Sequence, residues 1–595
     1  MVSDPAAPNE HSSDGKQCAR EQQFETVDPE NGNIVYDDAE HEPELHYKTY
    51  IALGAMFLLN LVNTFSIFSI PVALTAIGIS LKNPAAETWV PNALNLVQAV
   101  LCPLLSSASD VFQVRKPLLV GSLVIAVVGA AIAPGSQTIY RLIAAQVLIG
   151  VGFTSVALGY SIPSEVLPRR WRPMGQAFIN LAAAVGAITG PVIMGALQKR
   201  NPEGGWRTFY WIEMGIWIAT AAGIFVGYRP SERHTRLDHL SFLQKLGHLD
   251  LVGFVLLTPG LSLLLVGLNL GGGLYGWTNA RVLATLIAGI VILIGFGLYE
   301  WKGTSTGILH HDLFRGGKNS GRNFALCLLL MFIEGVMLFS YIIFYPVITT
   351  TLFESDPLLL VAREQPFWIA CLITNIIFGY LSTKFRKIKE FLFLGFLVFT
   401  AGIVGMATLE PNKSANPVIF SGLAGLGFGF LIVLIVTSVQ LSTPHHLIAT
   451  ATAATVSFRA VGATVFTAIY SASFGSRFKV KLPAYIAEAA LKAGLPSSSI
   501  KPFIQALAAG DLSALSNVGG VNPQIIGAGV VALKQAFADS IRVLYIIAAP
   551  FGIVACIACL FLGDMKETMN YRVDAPLEKM RAKSHRDEKI NGSSE

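Results

Sequence analysis

Fourteen apolar stretches, each about the length a helix needs to cross a bilayer, punctuate this chain between residues 48 and 563. They cover 48–70, 89–109, 117–134, 139–163, 174–197, 206–228, 250–270, 281–301, 323–348, 362–382, 391–409, 417–439, 447–472 and 542–563. Lipid offers the backbone no hydrogen-bond partner, so only helices or a closed barrel can span it, and no barrel alternation is visible. The expected fold is an all-α polytopic membrane protein. Charge agrees: only 14% of residues are charged, against about 25% in a soluble domain. A soluble enzyme, a nucleic-acid binder and a secreted disulfide scaffold are thereby excluded. Cys102, Cys327, Cys371, Cys556 and Cys559 lie inside apolar stretches and Cys18 in the N-terminal tail, which leaves no external disulfide framework. Cys556-x-x-Cys559 reads as two small packing residues.

Charges set the organisation. Residues 1–47 hold twelve acidic and two basic residues, a net −10 that leaves +15 on the remainder. Such a segment lacks the apolar surface to fold and is expected to be disordered. No secretory signal precedes the first span, which is expected to double as the insertion signal. Loops 2–3, 4–5, 6–7, 8–9 and 10–11 carry seventeen Lys or Arg, the short loops on the opposite side about five, so the former should face the cytoplasm together with both tails. The expected divisions are a disordered acidic tail (1–47), an N-terminal six-helix half (48–228), and a cytoplasmic loop plus two extra helices (229–301). A second cytoplasmic loop (302–322), a C-terminal six-helix half (323–563) and a cytoplasmic tail (564–595) follow. The last half includes an external loop, 475–541. Within it Tyr485–Leu495 and Ile525–Ile541 have helical apolar periodicity, which suits either an external cap or amphipathic helices resting on the membrane.

A small-polar, aromatic, basic turn occurs twice. Ser106-Ser-Ala-Ser109-Asp110-Val-Phe112 with Arg115-Lys116 follows span 2, and Gly379-Tyr-Leu-Ser382-Thr383-Lys-Phe385-Arg386-Lys387 follows span 10. Six spans, two extra and six more would give that offset, the pattern of transporters with a site between two halves. The first turn resembles the loop 2–3 signature of the major facilitator superfamily, Gly-x-x-x-Asp-x-x-Gly-Arg-(Arg/Lys). Asp110, Arg115 and Lys116 are present; Ser106 and Gln113 replace the glycines, and one residue is inserted. Asp110 with nearby cations suits a charge-assisted latch that breaks as the halves rock.

Gly186-Ala-Ile-Thr-Gly190-Pro191-Val-Ile-Met-Gly195 resembles the Gly-Pro signature in the fifth helix of the superfamily's proton-coupled exporters. Span 4 departs from that pattern, because Gln146 stands where such families place an Arg before Gly150-Val-Gly152. Trp206-Arg207-Thr-Phe-Tyr210-Trp211 resembles the start of span 6 in the fourteen-span drug:proton antiporter group. Asp250-Leu-Val-Gly253, Gly267-Leu-x-x-Gly271-Gly272, Tyr275-x-Trp277, Tyr299-Glu300 and Phe458-Arg459-x-x-Gly462 resemble its fungal trichothecene efflux pump branch. The likeness covers residues 48–565. It implies a major facilitator fold with fourteen transmembrane helices in a 6 + 2 + 6 arrangement.

Intramembrane charges are costly and therefore functional suspects. Glu334 in span 9 and Arg459 in span 13 fall near mid-depth, and are candidates for proton coupling or gating along with Asp110, Arg115 and Lys116. Glu165, Glu213 and Glu300 are expected at interfaces. Asn60, Asn63, Gln98, Asn180, Tyr341, Tyr345 and Asn375 are the expected cavity lining for an amphiphilic molecule. Asn412-Lys-Ser414, in the outward loop 11–12, is the glycosylation candidate. No metal site, cofactor, phosphate-cradling loop or catalytic cluster is expected, and His310-His311 and His445-His446 read as loop histidines.

The expected function is proton-coupled export of a small hydrophobic toxin, drug or secondary metabolite by alternating access. A siderophore–iron importer driven by proton symport and a non-transporting receptor are the alternatives. The expected partners are the substrate, protons and the bilayer, with no nucleic acid, for a monomer in the plasma membrane or in a vacuolar or vesicle membrane.

Overall fold

The structure, a computed structural model, describes residues 26–27, 34–112, 114–230, 249–271, 275–304, 307–308, 310–315, 320–509, 515, 517–577 and 580. Most of the acidic tail, Gln113, loop 231–248, Gly272, residues 316–319 and 581–595 lie outside the described residues.

Among the described residues, fourteen helices are long and apolar enough to span a membrane: α1 Tyr47–Ser80, α2 Trp89–Phe112, α3 Arg115–Gly135, α4 Ile139–Val166, α5 Arg169–Arg200, α6 Gly205–Gly227 and α7 Leu251–Asn269. After these come α8 Ala280–Gly303, α9 Gly321–Leu352, α10 Pro357–Phe385, α11 Lys389–Met406, α12 Asn416–Ser442, α13 His445–Lys492 and α14 Pro523–Leu560. Several are broken for local reasons. Pro71 lacks an N–H, and α1 passes through a 3₁₀ turn at Ile70–Ala73. In α4 the Thr154 and Ser155 hydroxyls donate back to Val151 O and Gly152 O, and the helix interrupts there.

Small residues decide which helices come together. A Cβ on Gly186 would stand 2.9 Å from Phe65 N, and one on Gly190 would stand 2.6 Å from Phe65 O, so α5 lies backbone-close to α1. Gly195, farther along α5, instead faces Pro357 O at 3.3 Å, on α10. In the extra pair, a Cβ on Gly289 would lie 2.6 Å from Leu264 N, which joins α8 to α7. Leu261 and Leu265 of α7 pack on Ala99 and Val100 of α2 and on Ala460 and Val461 of α13. By contrast α8 is only 11% buried over its apolar window and shows Ile287, Ile290, Val291 and Ile294 to the outside, as a lipid-facing helix should.

Two sequence expectations change. The segment 475–541 is not a loop. α13 runs unbroken to Lys492 and α14 begins at Pro523, so both helices continue about 30 Å past the apolar stretches 447–472 and 542–563. With a short helix, Ile500–Ala509, they enclose their own apolar core of Ile486, Ala490, Leu495, Phe503, Ile525 and Ala532. These helices pack on one another as a cap that continues α13 and α14. The periodicity was right in kind; the apolar stripes face each other instead of lipid.

The second change concerns the tail. Tyr36 is buried and its N–H and C=O exchange hydrogen bonds with Val573 at 3.3 and 3.0 Å. Val573, Met580 and Leu45 surround the ring, and Asp37 pairs with Arg572 at 3.1 Å. Residues 34–46 are therefore ordered, because the far end of the chain supplies the apolar surface they lack. Ile34–Val35 also pairs with Thr26–Val27. This end of the bundle, where residues 34–46 meet residues 570–577, is called the terminal face below; the cap marks the far face.

Candidate functional site

Glu334 on α9 and Arg459 on α13 meet inside the bundle, with Arg459 Nη1 3.6 Å from Glu334 Oε1. Two glycines bring the helices together: a Cβ on Gly335 would lie 2.5 Å from Arg459 O, and one on Gly462 2.7 Å from Phe332 O. Glu334 is fully buried, and neither carboxylate oxygen has a hydrogen bond among the described residues. Tyr160 of α4, in the other half, is within electrostatic reach of both charges. Its hydroxyl donates to Asn180 Oδ1 at 3.0 Å, and Asn180 Nδ2 donates to Gln176 O and, across the halves, to Ile432 O of α12. Cys371 of α10 is also in reach of Glu334, and one turn along the same helix Asn375 is buried with both amide atoms unpartnered among the described residues.

The other cavity candidates divide. Asn60 and Asn63 donate to the α1 backbone at Met56 O and Leu59 O. Gln98 is half-buried on α2. Tyr341 stacks on Phe367 with centroids 4.5 Å apart, lies 4.8 Å from Tyr345, and shares a 2.6 Å hydrogen bond with Ser421. Tyr345 donates to Arg363 O. These two tyrosines pack into the C-terminal half and reach Trp368, which meets Phe68 of α1 at 4.6 Å. Asn412 is exposed in the α11–α12 turn. Glu213 corrects an expectation: it is buried inside the N-terminal half, accepting from Ser66 Oγ at 2.6 Å and Trp217 Nε1 at 3.1 Å.

At the terminal face Asp110 joins the halves. Its Oδ2 accepts from Thr450 N at 2.9 Å and Thr450 Oγ1 at 2.8 Å, near the start of α13. That places a carboxylate at the positive end of a helix dipole. Arg115 bonds Asp110 Oδ1 at 3.1 Å and is paired with Glu165, which is buried at the end of α4. Lys116 stays out, its ammonium over the Phe225 ring. We expect Asp110→Asn to slow transport several-fold at near-native protein level, because it weakens a charge-assisted link between halves and leaves their cores intact. Initial rates normalised to membrane protein check this; an unchanged rate would reduce the cluster to a topology signal.

A second layer lies beside it. Gln440 Nε2 of α12 donates to Tyr160 O, while its Oε1 accepts from Ser164 Oγ and Gln176 Nε2. Arg172 donates to Gln440 O at 2.6 Å and Ser164 O at 2.8 Å, and pairs with Asp574 of the C-terminal segment. Asp574 also holds Arg169 at 2.6 Å. Burial pushes the Asp574 carboxyl up, but Arg172 and Arg169 outweigh it and bring it down to about 2. A depressed acid contributes stability above its unfolded value, near 3.9, and loses it progressively as pH falls from there to about 2. Docking of the C-terminal segment should therefore be constant from pH 8 down to about pH 4, as read by hydrogen exchange at Val573 corrected for intrinsic rate.

On the far face Lys199 of α5 pairs with Asp356 at 2.6 Å, just before α10. The halves are thus tied at both ends. A comparison with known families decides the rest: the family model described as fungal trichothecene efflux pump matches residues 31–595. The chain belongs to that family.

Its family relatives include the trichothecene efflux pump TRI12 of Fusarium sporotrichioides, 23% identical over 540 residues and 88% of each chain. MFS transporter L2 of a Phoma species is 25% identical over 501 residues, 83% of this chain and 79% of its own. Among solved structures the proton:xylose symporter XylE aligns with TM-score 0.53 at 11% identity, covering 88% of this chain and 98% of that one. The human organic anion transporter MFSD10 gives 0.51 at 12%, covering 85% and 99%. The fold of this efflux pump family member is the major facilitator fold, and the chain is a membrane efflux transporter, not an enzyme. Sequence reasoning missed Gln440, Thr450, Arg172 and Asp574 as links between halves. The one signal available was the triple arginine Arg169-Arg170-Arg172 beside Glu165, a cation cluster too dense for a solvated turn.

Proposed function

We propose that this efflux pump family member exports a small hydrophobic molecule in exchange for protons, with the terminal face in the cytoplasm. The observation that carries the proton reading is the Glu334–Arg459 pair, a buried carboxylate with no hydrogen bond among the described residues, 3.6 Å from a cation on a different helix. A carboxyl in that position trades a proton for a cation contact when the helices shift, which is what coupling requires. The aromatic cluster of Tyr341, Tyr345, Phe367 and Trp368 supports an apolar cargo. The printed name of TRI12 supports export. Closure at both faces suits a stage at which neither side has access.

The test is counterflow in proteoliposomes over a panel of lipophilic dyes, with and without an imposed pH difference. Accumulation against a gradient that needs the acidic side opposite the terminal face supports the reading; dye exchange indifferent to pH overturns the coupling. Orientation has its own check. Asn412 should accept glycan, and an epitope placed in the α10–α11 turn should be silent to antibody on intact cells. Staining there would invert the map.

A further inference from the structure

We propose that the C-terminal segment 563–577 is a moving part of the gate on the terminal face, with Asp574 the counterion that lets Arg172 bridge the two halves; this rests on alternating access, not on proton coupling. Arg172 is buried, with a side chain 2% exposed. Its three partners belong to three different bodies: Ser164 O to its own half, Gln440 O to the opposite half, and Asp574 to the end of the chain. Glu165, the other carboxylate in reach of Arg172, is taken up by Arg115, and a guanidinium sealed between halves without a carboxylate bonded to it is strongly unfavourable, so the halves close tightly here only when Asp574 is in place. Asp574 is itself buried in this arrangement, with a side chain 4% exposed.

The segment is built to make this journey. It leaves α14, which belongs to the C-terminal half, and crosses to the α4–α5 turn of the N-terminal half. There Arg169 N donates to Arg572 O at 3.0 Å, Arg170 N to Asn570 O at 2.8 Å, and Ala575 N to Glu165 O at 3.0 Å. Glu165 is the residue whose carboxylate holds Arg115. The segment therefore grips the backbone of the latch whose side chain ties Arg115 and, through it, Asp110. On its other edge the N-terminal segment backs it, by the Tyr36–Val573 bridge and by Tyr571 N donating to Ala39 O. Docking and closure are thus one cooperative event, each state of the gate having its own affinity for the segment.

Accessibility tests this without any substrate. In a chain whose own cysteines are replaced, a cysteine at Ser161, buried on α4 at the level of the gate, is labelled with an impermeant maleimide applied at the terminal face of inside-out vesicles. Asp574→Asn should raise the labelling rate at least five-fold, and Asp574→Glu should stay within two-fold of the native chain. Equal rates for Asp574→Asn and native, at matched protein level, overturn the proposal. A second measurement covers failure of Asp574→Asn to accumulate. Val573→Cys, buried in the native arrangement, should label slowly, and at least five-fold more slowly still once Asp110→Cys and Thr450→Cys are cross-linked to hold the halves together. Labelling indifferent to that tie would make the segment a static strap. A Ser161→Cys that never labels in any variant would instead count against alternating access itself.

Discussion

Glu334→Gln is expected to abolish accumulation driven by a pH gradient, by two orders of magnitude or more, while dye exchange without net proton movement continues. The reason is positional. Glu334 is fully buried, its cation contact lies on a different helix at 3.6 Å, and its oxygens take no hydrogen bond among the described residues. Glutamine keeps the shape and cannot carry the proton. Arg459→Ala should reduce both activities, because it strands a carboxylate in a region where translocon scales charge about 2.5–3.5 kcal/mol for a central ion. A pair that merely fixes packing behaves otherwise. Both single variants would then accumulate poorly, and a joint Gln/Met replacement would restore level and transport together. Gradient-driven accumulation by Glu334→Gln at native rate would end the proton role.

Gly190→Leu is expected to remove most folded protein from the membrane. A Cβ alone at that position would sit 2.6 Å from Phe65 O and 3.1 Å from Phe65 Cα, both backbone atoms with nowhere to go. Overpacking a tight contact costs about 1–3 kcal/mol, and more where backbone must move. Gly186→Leu should match it. Gly195→Ala is the informative contrast, since 3.3 Å from Pro357 O is a contact a small shift relieves. It should reach the membrane and perturb the far-face junction of the halves. Gly215→Ala, with nothing within 4 Å, serves as the silent control. Detergent-solubilised, size-resolved fluorescence of tagged protein reads all four, and a well-folded Gly190→Leu would mean α1 and α5 are not so close.

These two cases show what a sequence can reveal about such a chain. Lipid removes most alternatives, so fourteen apolar runs could only become fourteen helices, and two charges within them stood out by cost alone. Gly186, Gly190 and Pro191 were visible because close approach in a membrane has few other solutions. What stayed hidden was polar and remote. Asp574 lies 402 residues from Arg172, and in a charged tail it reads like any solvated acid. Gln440 resembles an ordinary end-of-helix amide until its partners from α4 and α5 are in place. The burial of Glu213 was not legible, because depth along a helix can be read from sequence whereas the identity of the neighbouring helix cannot. The same limit applies to the cap: an apolar stripe announces that something will cover it, and says nothing of whether lipid or another stripe does so.

The unbroken passage of α13 and α14 into the cap has a mechanical consequence. A rigid rod that continues about 30 Å past its apolar stretch acts as a lever arm for the half from which it grows. A tilt on the order of 15°, the scale of known rigid-body switches, would sweep its tip by about 8 Å. The largest displacement in the molecule would then occur where no cargo passes, at a surface open to the surroundings. A fluorophore pair or a binding protein fixed to that tip would act as a pointer on a dial, reading the state of a sealed pathway without entering it.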